Sequence, residues 1–511
     1  MHLHFTLWQH IPFVSIILPL ASGAFTSVMK PRMARRWAMT VLLIVTVLSA
    51  ILCVQFMGGA ENYAFPMGHD YEVTNEAAKG AIVNEIRAGS LEALTALFFS
   101  GIMLFSLMGG MKKLDEHIDE NKQSLYYVIL MLLTAALMAQ VYTNDLFTSY
   151  VFLEIMTLAA CALIAIRKRG RTLVAAAKYM IMNLIGSGLF LLGIVILYDI
   201  SGHLLMEPIR QAVAGIAETG KYAQPLTVVI ALFTIGLAIK SALFPFHTWV
   251  PDAYGYSTPT SQAVLSSLIS KGYIFLLIKI MYRVIGLDVI AATGIDDVLF
   301  VFALLGMVMG SISALRQNDV RRMIAFSSVA QIGYIYLGMS MGTEAGMMAA
   351  MFHLFSHAVC KSMLFLAAGG LADASGNSKL FRDLRGAGYR SPIAGVAFTV
   401  GALSMVGFPF LGGFVSKLNI GLAGIALDPV RASLVLVTLA LSTMLNTMYF
   451  LRTVITLYRK PLPHADYPIE KGQRGFCFNA SLVLLALVNI ALGIFSQAVI
   501  NMITDGLGMF G

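Results

Sequence analysis

The chain repeatedly presents apolar stretches long enough to cross a bilayer. About fourteen such stretches can be marked, at residues 11–28, 37–57, 92–110, 124–142, 146–166, 173–198, 225–256, 259–282, 298–315, 323–340, 345–370, 392–419, 432–456 and 478–503. A spanning helix needs roughly 20 mainly apolar residues. Inside lipid every backbone polar group must be satisfied within the segment, so helices are the economical solution for runs of this length. The expected fold is therefore an all-α polytopic membrane protein, with no soluble domain between the spans. Composition agrees: 58% of the residues are hydrophobic and only 12% are charged, about half the share of an ordinary soluble domain. A nucleic-acid partner is not needed to explain the net charge of +8, because the basic residues are spread over short loops. The longest connection, 58–90, is polar, and a short surface helix is expected at Asn75–Arg87. The N-terminus lacks a basic n-region and a cleavage motif, so Ile11–Val28 is read as a retained first span.

Basic residues orient the spans. With both termini outside, the inner loops hold clusters such as Lys30, Arg32, Arg35 and Arg36, or Arg167, Lys168, Arg169 and Arg171. The outer loops hold only Lys79, Arg87, Arg210, Lys221, Arg283 and Arg431. Left over within the spans are Lys178, Lys240, Lys271, Lys279, Lys361 and Lys417, and no arginine. Lysine can release its proton when desolvated and arginine cannot, so this is the residue type that a proton-loading site requires. Lys279, beside Arg283, is expected to snorkel to the outer interface; the other five lie inside apolar runs.

Two spans break. In the seventh, Lys240 is followed by Phe244-Pro245-Phe246, and in the twelfth Phe408-Pro409-Phe410 precedes Lys417. Proline removes a backbone donor and clashes with the preceding turn. The spans before each break carry Lys178 and Lys361 near their starts. Spans four to eight can thus be laid over spans nine to thirteen as inverted repeats, a pattern that points to a transport site. The expected division is 1–115 (spans one to three), 116–283 (first repeat), 284–460 (second repeat) and 461–511 (span fourteen).

Glu154 reads as the one carboxylate deep in a span and needs a partner, for which a neighbouring lysine is the obvious choice. A Glu–Lys pair that opens and closes would move a proton; a static buried ion pair is the alternative. His353, His357 and Lys361 recur every four residues on one helix face. They suit a proton relay, whereas a metal site or simple core packing remain the other readings. Ser267, Ser270, Ser327, Ser328 and Gln331 could line water files or merely pack helices. The cysteines Cys53, Cys161, Cys360 and Cys477 fit neither a disulfide framework nor a metal motif and are read as small buried hydrophobes. No cofactor or metal site, phosphate loop or redox centre is expected.

At this point the residues resemble a known family. Lys240-Ser-Ala-Leu-Phe-Pro-Phe-His-Thr-Trp-Val-Pro-Asp252 is similar to the seventh-span signature of the antiporter-like subunits of respiratory complex I (its L, M and N subunits). Mrp-type cation/proton antiporters and membrane-bound group 4 nickel–iron hydrogenases share it. Asn318-Asp319-Val-Arg321-Arg322-Met-Ile-Ala-Phe-Ser327-Ser328 and Phe352-His353-Leu-Phe-Ser-His357-Ala-Val-Cys-Lys361 carry the likeness further, over roughly residues 90–460. The resemblance implies a proton-translocating subunit with further membrane subunits as partners and sodium as a second conceivable ion. Glu154 and Lys240 would be its loading pair, Lys271 the central lysine, His353, His357 and Lys361 the relay, and Lys417 the exit group. Lys417 stands where the M subunit looks to carry glutamate, and Gln331 replaces a histidine common in complex I versions. Both lean toward an Mrp D-type or hydrogenase-type subunit. A free-standing transporter of an organic solute and a passive scaffold are the rival functions.

Overall fold

The computed structural model describes residues 6–67, 84–167, 170–461 and 475–508. In chain order the α-helices are α1 (Ile11–Thr26), α2 (Pro31–Met57), α3 (Ser90–His117), α4 (Glu120–Tyr142), α5 (Leu146–Ala165), α6 (Gly170–Ser201) and α7 (Met206–Thr219). There follow α8 (Ala223–Ser241), α9 (Val250–Tyr256), α10 (Pro259–Val264), α11 (Ser270–Lys279), α12 (Leu287–Thr293), α13 (Ile295–Leu315) and α14 (Val320–Met339). The last third holds α15 (Glu344–Asp373), α16 (Ala387–Arg390), α17 (Pro392–Val406), α18 (Gly412–Ile425), α19 (Pro429–Leu457), α20 (Phe476–Ile494) and α21 (Ser496–Gly508). Among the described residues, 12 helical stretches are long and apolar enough to cross a membrane, and Pro392–Val406 is apolar but shorter. The centre of the bundle is the stretch Pro259–Ile285 together with α15, the two most completely buried of those candidates.

Helix starts follow ordinary capping chemistry. The carboxylates of Asp145, Asp319 and Asp428 and the hydroxyls of Thr258 and Thr343 accept backbone N–H groups in the first turns of α5, α14, α19, α10 and α15.

Both proline breaks use the same termination. Helix α8 ends at Ala242 (φ 68°), with Leu243 N–H donating five residues back to the carbonyl of Ala238 at 3.0 Å. Helix α17 ends at Gly407 (φ 98°), with Phe408 N–H reaching the carbonyl of Leu403 at 2.9 Å. A left-handed residue with a six-to-one hydrogen bond is the Schellman termination, which closes a helix firmly. The chain resumes as α9 and α18.

Several expectations change. Asn84–Ala88 is a strand (β2) paired antiparallel with Tyr63–Met67 (β1), so the helix expected at Asn75–Arg87 is not formed over 84–87; 75–83 lie outside the described residues. Lys79, Lys168, Arg169, Lys471 and Arg474 also lie outside them. The last expected span divides into α20 and α21. Helix α7 lies in the connection between the sixth and seventh expected spans, and it buries Met206, Ile209, Val213 and Ile216, one helical face. Cys477 is exposed rather than buried.

Charges at the far end of the long central stretch are corrected most. Arg283 is not in a loop: it is fully enclosed, 2.5 Å from Glu92 and 3.0 Å from Asn144 Oδ1. Glu92 is thus a deeply buried carboxylate, more enclosed than Glu154. Lys279 does not snorkel; its ammonium donates to the carbonyls of Val141 and Thr143, at the end of α4. Such carbonyls lack helical partners and carry the negative end of the helix dipole, which is why a cation settles there.

Candidate proton pathway

The first break carries Lys240 in the last turn of α8, wholly buried. Its Nζ lies 3.5 Å from Glu154 Oε1 on α5, donates to Thr157 Oγ1 at 2.8 Å, and sits 5.1 Å above the Tyr273 ring. Thr157 Oγ1 is also 3.0 Å from the Tyr273 hydroxyl, which approaches the Tyr179 hydroxyl at 3.4 Å. Glu154 accepts a hydrogen bond from Ser187 on α6. The carboxylate is not sealed in: 21% of its side chain is exposed, on a face with Phe147, Val151 and Leu158. Thr157, Ser187 and Tyr273 were not singled out from the sequence. The available signal was spacing alone, since Thr157 follows Glu154 by three residues and shares its helix face.

Lys271 lies in the first turn of α11, just after Leu265–Ile269, which forms a wider π-type turn. A π turn displaces the regular hydrogen-bond ladder and recurs at functional sites. Here Lys271 Nζ donates back to the Ser266 carbonyl at 2.5 Å. The Ser266 hydroxyl meets Ser328 at 3.0 Å. Lys361 donates to Ser327 Oγ and to the Ile324 carbonyl at 3.0 Å, and so joins the same turn of α14. His357 lies one turn before Lys361, and its ring stacks on that of His353 at 6.0 Å. Both ring nitrogens of His357, both amide atoms of Gln331, and the hydroxyls of Ser267 and Ser356 have no protein hydrogen-bond partner although buried. Buried polar atoms in native proteins are almost always satisfied, by water where protein does not reach.

His353 Nδ1 is 2.9 Å from Ser416 Oγ on α18, and its ring stacks on Tyr334 at 5.3 Å. The far side of that network is Lys417, whose ammonium lies 5.3 Å from the Tyr334 ring. Lys417 donates to the carbonyls of Met405 and Val406, the last two residues of α17, at 2.8 and 3.0 Å. Each break therefore sets a lysine over a tyrosine ring, and at the second the ammonium also rests on the carbonyl end of the interrupted helix. The second break is tied to α20 through Asn489 Oδ1, which accepts from Gly412 N–H and Ser404 Oγ.

Lys178 departs from expectation. Its side chain is 54% exposed at the edge of α6, where it pairs with Asp252 of α9 at 2.6 Å. Asp252 also receives Arg322 at 3.2 Å. An apolar flank in sequence says nothing about which neighbours a helix has, and here α9 reaches Lys178 through Asp252 but leaves its side chain more than half exposed.

A multi-pass bundle with two interrupted helices, a buried lysine at the first break, a half-buried one at the second, and buried serines and histidines between them, is of the antiporter-like class of membrane subunits. The chain belongs to the NADH:quinone oxidoreductase/Mrp antiporter transmembrane family, whose profile matches residues 143–444. It is 34% identical over 395 residues to NADH-quinone oxidoreductase subunit N of Desulforudis audaxviator, covering 75% of this chain and 76% of that protein. It is 27% identical over 461 residues to subunit N 2 of Syntrophobacter fumaroxidans, with 90% of each covered. A chain of the membrane-bound sulfane sulfur reductase, an archaeal respiratory membrane complex, superposes with TM-score 0.84 at 27% identity, over 98% of both chains. A chain of the Mrp complex from Dietzia sp. shares the fold, with TM-score 0.84 at 22% identity over 99% of this chain and 98% of that one.

Proposed function

We propose that this chain translocates protons as one subunit of a larger membrane complex, of complex I-like, Mrp or membrane-bound hydrogenase kind, alongside further antiporter-like subunits. Protons enter from the inner face, where Lys178 and Asp252 stand at the mouth. They load Lys240 against Glu154, pass Lys271, follow Lys361, His357 and His353, and leave near Lys417. The observation that carries the reading is a succession of buried contact groups: Lys240 with Thr157 and Tyr273; Lys271 through Ser266 and Ser328 to the Ile324 carbonyl that Lys361 also meets; and His353 through Tyr334 to Lys417. The shared termination of α8 and α17 supports reading 116–283 and 284–460 as inverted repeats, with α14 and the α17–α18 pair counted as crossings. We place the protein in the cell's inner (plasma) membrane with both termini outside and the basic loops inside. Sodium favours oxygen ligands, so protons are the ion for this axis.

The test uses Lys240→Ala and Glu154→Ala in the assembled complex. Each is expected to lower coupled proton movement at least about tenfold, the effect of losing one charge-assisted contact of about 1.5–3 kcal/mol. Wild-type rates in both would overturn the assignment. The neighbouring reading frames decide the assembly: hydrogenase, NADH-dehydrogenase or small Mrp subunits each name one.

A further inference from the structure

Beside the mouth just described lies a cavity of about 520 Å³ that the proton pathway does not use. Its walls bring together Arg167 from the end of α5, Arg171 from the start of α6, Arg321 from the start of α14, and Lys379 from the turn after α15. Glu116 and His117, at the end of α3, also line it. Glu116 is engaged by Lys113, so it does not neutralise the four cations. Asp319 stands 3.9 Å from Lys379 and is already committed to the cap of α14. Arg321 is only 6% exposed, yet its Nε has no hydrogen-bond partner in the protein. Burial, together with Arg321, Arg167 and Arg171 nearby, pushes the Lys379 ammonium down to about 8, against the pull of Asp319.

Converging cations with an unsatisfied guanidinium donor ask for a multivalent acceptor. Basic pockets between transmembrane helices near the inner surface suit anionic headgroups, and arginine matches phosphate oxygens in pairs. We propose that this cavity binds a phosphate-bearing anion, held by Arg171, Arg321 and Lys379.

The same cations hold the end of the first broken span. Arg167 donates to the Tyr256 carbonyl at 3.0 Å and Lys379 to the Gly255 carbonyl at 3.0 Å. The Tyr256 ring lies 5.3 Å from Lys379 and 5.9 Å from the Arg171 guanidinium. An anion gathering these groups braces α9, the continuation of the helix that carries Lys240.

The experiment places the assembled complex in nanodiscs of phosphatidylcholine alone, with added phosphatidylglycerol, or with added inorganic phosphate. Retained lipid is read by native mass spectrometry, and hydrogen exchange is followed over Val250–Tyr256. Phosphatidylglycerol is expected to be retained selectively and to slow exchange in that segment. If inorganic phosphate slows it equally, the source is the free anion; if only phosphatidylglycerol does, it is the lipid headgroup. Arg321→Gln and Lys379→Gln should each weaken binding about fivefold, the worth of one basic residue beside an anionic headgroup. Arg171 is exposed, so Arg171→Gln leaves folding intact and should show a similar loss. No selective retention and no slowing by either anion, or wild-type binding in Arg171→Gln, overturns the proposal. Binding is read without ion flux, so this result stands apart from the fate of the proton pathway.

Discussion

Lys240 has two partners of different kind. Glu154 supplies charge at 3.5 Å, and Thr157 supplies a closer hydroxyl at 2.8 Å that also touches Tyr273. If the ammonium is to lose its proton, the hydroxyl must accept from it in one state and donate to it in the other, which threonine can do and valine cannot. Thr157→Val keeps the shape and removes that exchange, so proton movement in the assembled complex should fall about tenfold, as for a hydrogen bond to a charged group. Thr157→Ser should retain most of the rate. Equal rates in the valine and serine variants would make the hydroxyl a bystander.

At the helix terminus itself the two breaks differ in one residue that the Phe-Pro-Phe motif does not reveal. The left-handed position is Gly407 at the second break and Ala242 at the first. An L side chain there costs about 1–2 kcal/mol. Ala242→Gly should therefore raise stability by up to about 1 kcal/mol, read as an upward shift in thermal unfolding of the purified chain; an unchanged or lowered transition would refute the strain. Gly413→Ala is expected to do the opposite, because a Cβ there would lie 1.8 Å from the Ser404 carbonyl oxygen.

The breaks, the spans and the buried lysines were legible because a bilayer leaves few ways to place proline and charge in an apolar run. What was not legible depends on neighbours. Lys178, Lys279 and Arg283 have similar apolar surroundings in sequence. One ends on the rim, one on the carbonyls of α4 and one on Glu92, and only packing separates them. The hairpin β1–β2 escaped because its two five-residue strands are too short, in the longest connection of the chain, to show a periodicity that can be read.

At the level of the whole molecule, two acidic residues meet opposite conditions. Glu92 is sealed with Arg283, joining α3 to the end of the long central stretch. Removing one partner strands the other, so Arg283→Met should destabilise the chain by about 3–5 kcal/mol, and Glu92→Met with Arg283→Met together by much less. Thermal unfolding of the three proteins measures this, and equal loss in single and double variants would contradict a simple pair. Glu154 is the reverse. It sits midway along α5, partly exposed on a face of Phe147, Val151 and Leu158. Lipid against a mid-span carboxylate is unfavourable by about 2.5–3.5 kcal/mol, whereas another subunit can cover the face and supply polar company. Glu154 should then react with a hydrophobic carbodiimide in the isolated chain and be shielded at least about tenfold in the assembled complex, the burial of one such charge being worth that much or more. Glu154→Gln gives the background. Equal labelling of Glu154 in both states would mean that α5 faces lipid, and that the loading pair works without a neighbour.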